Sequence, residues 1–160
     1  MRGRGGFSLP EMMTVLVIFG IMAMLAMPRW EGVLAHIRTR GAASRVATDL
    51  AFTRQLAARS GRGARLEIEA SRDCPAPSPR GASGHRYRIM ITGVDSVATM
   101  VDLRLDAGPV CLTSNQSGRV VFNSSGLTAG FNNRTLSVQQ GKHAPTLLTV
   151  SAVGRVRRRW

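Results

Sequence analysis

The densest run of one chemistry is Gly154-Arg155-Val156-Arg157-Arg158-Arg159-Trp160, with four arginines in five consecutive positions. A guanidinium fork donates paired N–H bonds to phosphate or carboxylate oxygens. If this run is extended, Arg155, Arg157 and Arg159 share one face at a spacing of about 6.5–7 Å, suited to successive phosphates along one strand. Gly154 lets the chain approach a duplex, or leave a sheet, without a Cβ clash. Trp160 either stacks on an exposed base or packs on its own domain. Against this stands the plainer reading of a solvated basic tail that packs on nothing. Arg119, Arg134 and Lys142 sit in or beside turns; they either widen the same basic patch or are scattered solvent charges. Nothing resembles a recognition helix, so the chemistry expected is phosphate contact with little sequence preference.

Other chemistries are excluded by type and spacing. His36, His85 and His143 form no metal-binding pattern, and no nucleophile elbow or phosphate-cradling glycine loop is present. Gly61-x-Gly63 reads as a helix stop. The carboxylates are few and scattered, so no enzyme activity, cofactor or metal is expected. Two cysteines are too few for a zinc module or a disulfide-dense scaffold. Aromatic residues make up 5%, which argues against a base-stacking platform. The formal charge of +13 is not needed for folding and points to a polyanionic partner: nucleic acid, anionic lipid or an acidic protein.

These residues need elements to hold them. Between Trp30 and Ser60 the apolar residues recur with helical period: Trp30, Val33, Leu34 and Ile37, then Ala43, Val46, Leu50 and Ala57. This stripe is expected to face a core, with Arg38, Arg45, Arg54 and Arg59 turned away. Ser60, Gly61 and Gly63 end the helix. From Ala64 the period shortens. Strands are expected at 64–70, 87–92, 99–105, 119–122, 135–140 and 146–150, separated by glycine, proline and serine turns. Residues 71–85, rich in proline, serine and glycine, read as a loop. The pattern predicts an α+β fold, a long helix packed on a C-terminal antiparallel β-sheet domain, with no repeat.

The chain opens on Met1-Arg2-Gly3-Arg4-Gly5-Gly6, then runs apolar from Met12 to Met27 apart from Thr14 and Gly20. As a helix, Phe7–Met27 spans roughly 30 Å, a bilayer core. Arg2 and Arg4 mark the cytoplasmic side. An ordinary secretory signal is the alternative, but no small-x-small cleavage site follows. Glu11 lies inside the start of the run, where a carboxylate costs several kcal/mol unless paired.

Gly6-Phe7-Ser8-Leu9-Pro10-Glu11, followed by an apolar helix and Pro28, resembles the type IV prepilin signal. The resemblance implies cleavage after Gly6 by a membrane prepilin peptidase and N-methylation of Phe7. It also implies that Glu11 neutralises the terminal amine of a neighbouring subunit during assembly. It divides the chain into a leader (1–6), a transmembrane and assembly helix (7–28) and a soluble periplasmic domain (29–160) ending in the basic tail (154–160). The protein is then a single-pass inner-membrane protein before assembly and part of a pilus, with other pilins, afterwards.

The stretches 50–68 and 120–130 are similar to the FimT/GspH group of minor pilins and pseudopilins. In the FimT-like branch a G-R-x-R motif near the C-terminus is associated with DNA binding, and Gly154-Arg155-Val156-Arg157 matches it. The resemblance implies a minor pilin binding extracellular double-stranded DNA for natural transformation, through Gly154, Arg155, Arg157, Arg158 and Arg159, with Arg119, Arg134 and Lys142 as flanking cations. The alternative is a structural minor pilin, or a type II secretion pseudopilin, that does not touch DNA. Export implied by the same resemblance puts Cys74 and Cys111 in an oxidising compartment, where a disulfide is expected and two free thiols are the alternative.

Overall fold

Ser8 opens the first helix. In the computed structural model, which describes residues 8–74, 81–94, 96–130 and 133–159 (backbone alone at 26–29), helix α1 runs Leu9–Ser60. The expectations for Gly6, Phe7, Trp160 and the prolines 75, 77 and 79 fall outside these residues. The Ser8 carbonyl accepts from the N–H groups of Glu11 (3.0 Å) and Met12 (3.2 Å), and Glu11 Oε2 accepts from the Ser8 N–H at 3.4 Å. Ser8-x-x-Glu11 is thus a capping pair in which the carboxylate satisfies a donor that the first turn leaves open. Pro10, in that turn, has no N–H to lose.

The chain divides into two units, residues 1–34 and 35–160. In the first, the large apolar side chains from Leu9 to Leu25 are between 43% and 78% exposed. A helix apolar on every side has no inward face of its own. Among the described residues no single helix passes as long and apolar enough to cross a membrane; Leu9–Leu25 and Trp30–Ser60 pass together on length and composition.

In the second unit the buried line of α1 is Ala35, Thr39, Ala42, Ala43, Val46, Leu50, Thr53 and Ala57. Its later members are those expected. The earlier ones are not: Trp30, Val33, Leu34 and Ile37 are 71%, 54%, 46% and 60% exposed. The line is set by small residues, alanine and threonine, which leave little side chain between the helix backbone and its neighbours. The buried threonines bond to the helix itself, Thr39 Oγ1 to the His36 carbonyl at 3.0 Å and Thr53 Oγ1 to the Asp49 carbonyl at 2.6 Å. No buried hydroxyl of this line is therefore left without a partner.

Among the described residues nine strands follow: β1 Ala64–Glu69, β2 Ala82–Gly84, β3 Arg86–Ile91, β4 Val97–Asp102, β5 Cys111–Ser114, β6 Arg119–Phe122, β7 Arg134–Gln139, β8 Thr146–Val150 and β9 Val156–Arg159. They form a four-stranded sheet, β4-β3-β1-β6, and a five-stranded sheet, β2-β5-β7-β8-β9. All pairings are antiparallel. The inward residues (Leu66, Tyr87 and Ile89 from one sheet, Leu112, Leu136 and Leu148 from the other) join Val46 and Leu50 of α1 in one buried cluster. The Tyr87 hydroxyl, drawn into this core, donates to Asp49 Oδ2 at 2.5 Å, tying β3 to α1. Burial first, and then this carboxylate, push the phenol well above its ordinary range.

Three expectations need correction. The stretch 99–105 is not one strand: β4 ends at Asp102, and α2 follows at Leu103–Ala107. Asp102 Oδ1 accepts from the Arg104 N–H at 3.0 Å, so the carboxylate caps a new helix where alternation promised more strand. The 71–85 loop contains β2, recruited by pairing with β5. The basic tail is a paired strand and does not run free. The disulfide is present: Cys74 and Cys111 are bonded, joining the segment before the proline-rich stretch to the start of β5. Closing a loop of this length stabilises by on the order of 4 kcal/mol in the chain-entropy account.

Candidate nucleic-acid interface

The basic strand begins at a tight hairpin. The Gly154 N–H donates to the Ser151 carbonyl at 2.8 Å, and the Ser151 N–H donates to the Arg155 carbonyl at 3.0 Å. Ser151 Oγ also accepts from the Arg155 N–H at 3.1 Å. This closes a three-residue loop, Ala152–Gly154, whose last residue must take positive φ. Gly154 does so, at φ +74°. A Cβ there would meet the Gly126 carbonyl oxygen at 2.6 Å. Of the two roles read for this glycine, the local geometry accounts for the one concerning departure from the sheet.

Beyond it, β9 pairs with β8 in the register Val150↔Val156, Thr149↔Arg157, Leu148↔Arg158, Leu147↔Arg159. Leu148 and Val150 are buried, so Val156 and Arg158 lie on the core side of the sheet. Arg158 reaches α1, donating to Ser44 Oγ at 3.2 Å. Arg157 and Arg159 lie on the opposite, outer face beside the half-buried Thr149 and Leu147. Alternation along one strand therefore puts cations on both faces of an edge strand. Between α1 and this hairpin lies a groove of about 700 Å³, to which Arg54, Arg155 and Arg158 contribute with neutral residues of α1 and of the Ser125–Gly126 turn.

The flanking cations are not brought together with the hairpin. Arg119, on edge strand β6 of the other sheet, is committed to Glu67, its Nε 2.6 Å from Oε1. Arg134 is on β7 opposite Val150, on the core side, where it donates to the Arg119 carbonyl and to Ser117 Oγ. Burial lowers the affinity of its guanidinium for the proton. It fastens the two sheets at this end and does not present its charge outward. Lys142 is exposed in the β7–β8 connection, beyond the Thr146 end of β8.

What sequence reading missed is which arginines are neutralised. Arg45 is paired with Asp49 and Asp106, Arg86 with Asp102, Arg104 with Asp73, and Arg65, Arg88 and Arg119 with Glu67. No Asp or Glu follows Asp106 in the chain. Among the described residues, Arg54, Arg155, Arg157 and Arg159 form no ion pair with a carboxylate. The acid-free C-terminal third was a visible signal for this, though the partner of each arginine was not.

A helix-led domain of two antiparallel sheets, behind an apolar N-terminal helix capped by Ser8 and Glu11, defines a pilin-class protein. The profile of the prokaryotic N-terminal methylation motif matches residues 1–27, and that of type II transport protein GspH matches residues 42–154. The chain belongs to the GspH family, within the minor-pilin group. Membership implies association with other pilins, and the motif implies prepilin processing. No curated protein matches the chain. Two crystal forms of the type IV minor pilin FimU of Pseudomonas aeruginosa share the fold. One is 16% identical with a TM-score of 0.55, covering 75% of this chain and 91% of that one. The other is 17% identical with a TM-score of 0.59, covering 78% and 90%. The arginine strand β9 follows the last residue of the GspH match.

Proposed function

We propose that this chain is a minor type IV pilin that binds extracellular double-stranded DNA through the β8–β9 hairpin, for uptake in natural transformation. One observation carries the reading: Arg155, at the start of the edge strand, and Arg157 and Arg159, on its outer face, pair with no carboxylate among the described residues, while six other arginines of the domain are neutralised. Guanidinium forks on an extended strand suit phosphate oxygens, and the absence of a reading helix makes the binding indifferent to base sequence. The N-terminal segment anchors the chain in the inner membrane, is cut after Gly6 and methylated on Phe7. Glu11 then exchanges its Ser8 N–H for a neighbour's terminal amine in the filament.

The test is DNA binding by the full-length chain in non-ionic detergent, measured by fluorescence anisotropy with duplexes of unrelated sequence. Arg157→Gln with Arg159→Gln is expected to weaken binding at least tenfold and to flatten the slope of log affinity against log salt by about two units. Heparin and anionic vesicles form the control arms. Equal affinity for them identifies a general polyanion or surface adhesin. No DNA binding by the parent chain leaves a structural minor pilin or a pseudopilin of a type II system, as the GspH name suggests.

A further inference from the structure

The groove between α1 and the β8–β9 hairpin has a composition that the hairpin alone does not explain. Among the described residues its charged groups are three arginines, Arg54 of α1 on one wall and Arg155 and Arg158 of the hairpin on the other, and no carboxylate lines it. The rest of the helix wall, from Ser44 to Ala58, is alanine and small polar side chains. That stretch is about 20 Å of helix, enough for several nucleotides at an axial rise of about 3.4 Å each.

Arg54 is held in place. A Cβ on Gly126 would lie 3.2 Å from its Nε, and one on Gly154 would lie 3.3 Å from the same atom. The arginine stem therefore lies across two bare glycines, both at positive φ, +73° and +74°. A guanidinium fixed in this way loses little freedom when it meets a ligand. It is exposed, and no carboxylate among the described residues pairs with it. A cation positioned by two conformationally demanding glycines and left without a counter-charge has the properties of a binding residue. A surface arginine kept for solubility needs none of them.

We infer that this groove is a second track for the DNA backbone, with Arg54 as a phosphate-binding residue facing Arg155 and Arg158. It rests on the DNA-binding reading and extends it. The phosphates contact both faces of β9, Arg157 and Arg159 on the outer face and the groove on the inner. A negatively charged backbone is the occupant because the groove offers positive charge from two sides, hydroxyl donors such as Thr48 and Ser125, and, among the described residues, no acidic group to repel it.

The deciding experiment compares Arg54→Met, which keeps the packed stem and removes the charge, with Arg54→Lys, which restores a charge. Both are made in the full-length chain in non-ionic detergent and titrated with a 30-base-pair duplex over a range of salt. Arg54→Met is expected to weaken binding about five- to tenfold and to flatten the salt slope by about one unit; Arg54→Lys recovers most of the slope, which counts charges and not shape. Melting temperatures of both follow the parent. Parental affinity and slope in Arg54→Met, while Arg157→Gln with Arg159→Gln weakens binding, overturns the groove and leaves the hairpin reading standing. A loss that lysine does not restore, or one accompanied by a lowered melting temperature in both variants, assigns Arg54 a structural role and also overturns it. If the hairpin double variant binds as the parent does, the DNA reading itself has failed.

Discussion

At Gly154 the backbone is left-handed and a neighbouring carbonyl oxygen occupies the space of a side chain. Alanine there meets two costs, the strained φ and the approach to Gly126. Gly154→Ala is expected to destabilise the domain by about 2 kcal/mol, read as a lower denaturant midpoint. On the proposed DNA-binding reading, affinity for a duplex is expected to fall with it, because the hairpin sets where Arg155 and Arg157 point. Stability unchanged within about 0.5 kcal/mol would mean that the loop relaxes without strain. Glu11 is the other residue whose surroundings changed its meaning. Its carboxylate was expected to lack any partner within its own segment apart from a terminal amine. It accepts from the Ser8 N–H at 3.4 Å. This long, exposed bond is easily exchanged for an ammonium. Glu11→Ala is therefore expected to leave insertion into the membrane intact and to lower recovery of the chain in sheared filaments; undiminished recovery would remove its role in assembly.

Among the elements, β1 and its neighbours show how this domain uses arginine for structure. Glu67 lies opposite Arg88 on β3 and Arg119 on β6, with Arg65 two residues away on its own strand. Burial pushes its carboxyl up, but the Arg119 hydrogen bond and the fields of Arg119, Arg88 and Arg65 outweigh that, and it titrates below the usual carboxylate range. Asp102 is held down by Arg86 and by the Arg104 N–H. Both groups bind protons more weakly folded than unfolded. Their contribution is therefore complete above the ordinary carboxylate range and is lost as pH falls through it towards the lower folded values. Urea midpoints are expected to drop between about pH 5 and pH 2. Glu67→Gln should lower stability at neutral pH by about 1 kcal/mol, since three arginines then face no carboxylate, and should shrink the acid-induced drop. An unaltered acid profile would show that the cluster is not coupled to folding. The same chemistry serves β9 differently. Arginines on an exposed edge also discourage pairing with another chain, which protects a strand that ends its sheet.

Over the whole molecule, charge is sorted. The carboxylates occupy the first two-thirds of the chain, where they pair with Arg45, Arg65, Arg86, Arg88 and Arg104, whereas the stretch after Asp106 holds no acidic residue. On the proposed reading, this excess of positive charge attracts a polyanion over a range that salt shortens. At the other end of the chain, a helix apolar on all sides awaits lipid or neighbouring pilins. Changes at the hairpin are not expected to disturb processing or assembly of the N-terminal segment.

The sequence by itself determined what depends on near neighbours in the chain. The helix stop at Ser60–Gly63, the strands near 64–69, 86–91, 119–122, 134–139 and 146–150, and the apolar line from Ala43 to Ala57 all follow from local period and turn chemistry. Tertiary structure decided the rest, because it turns on contacts between residues far apart in sequence. Trp30 to Ile37 has the period of a buried face, yet nothing in the isolated chain covers it. Asp102 ends a strand because its carboxylate caps α2. Val156–Arg159 reads as a tail, since an edge strand with charges on both faces shows no alternation, and only pairing with β8 makes it a strand. Arg119 and Arg157 look alike as letters. One meets Glu67 across a sheet pairing 52 residues away and the other meets no acid among the described residues, a difference that only the fold decides.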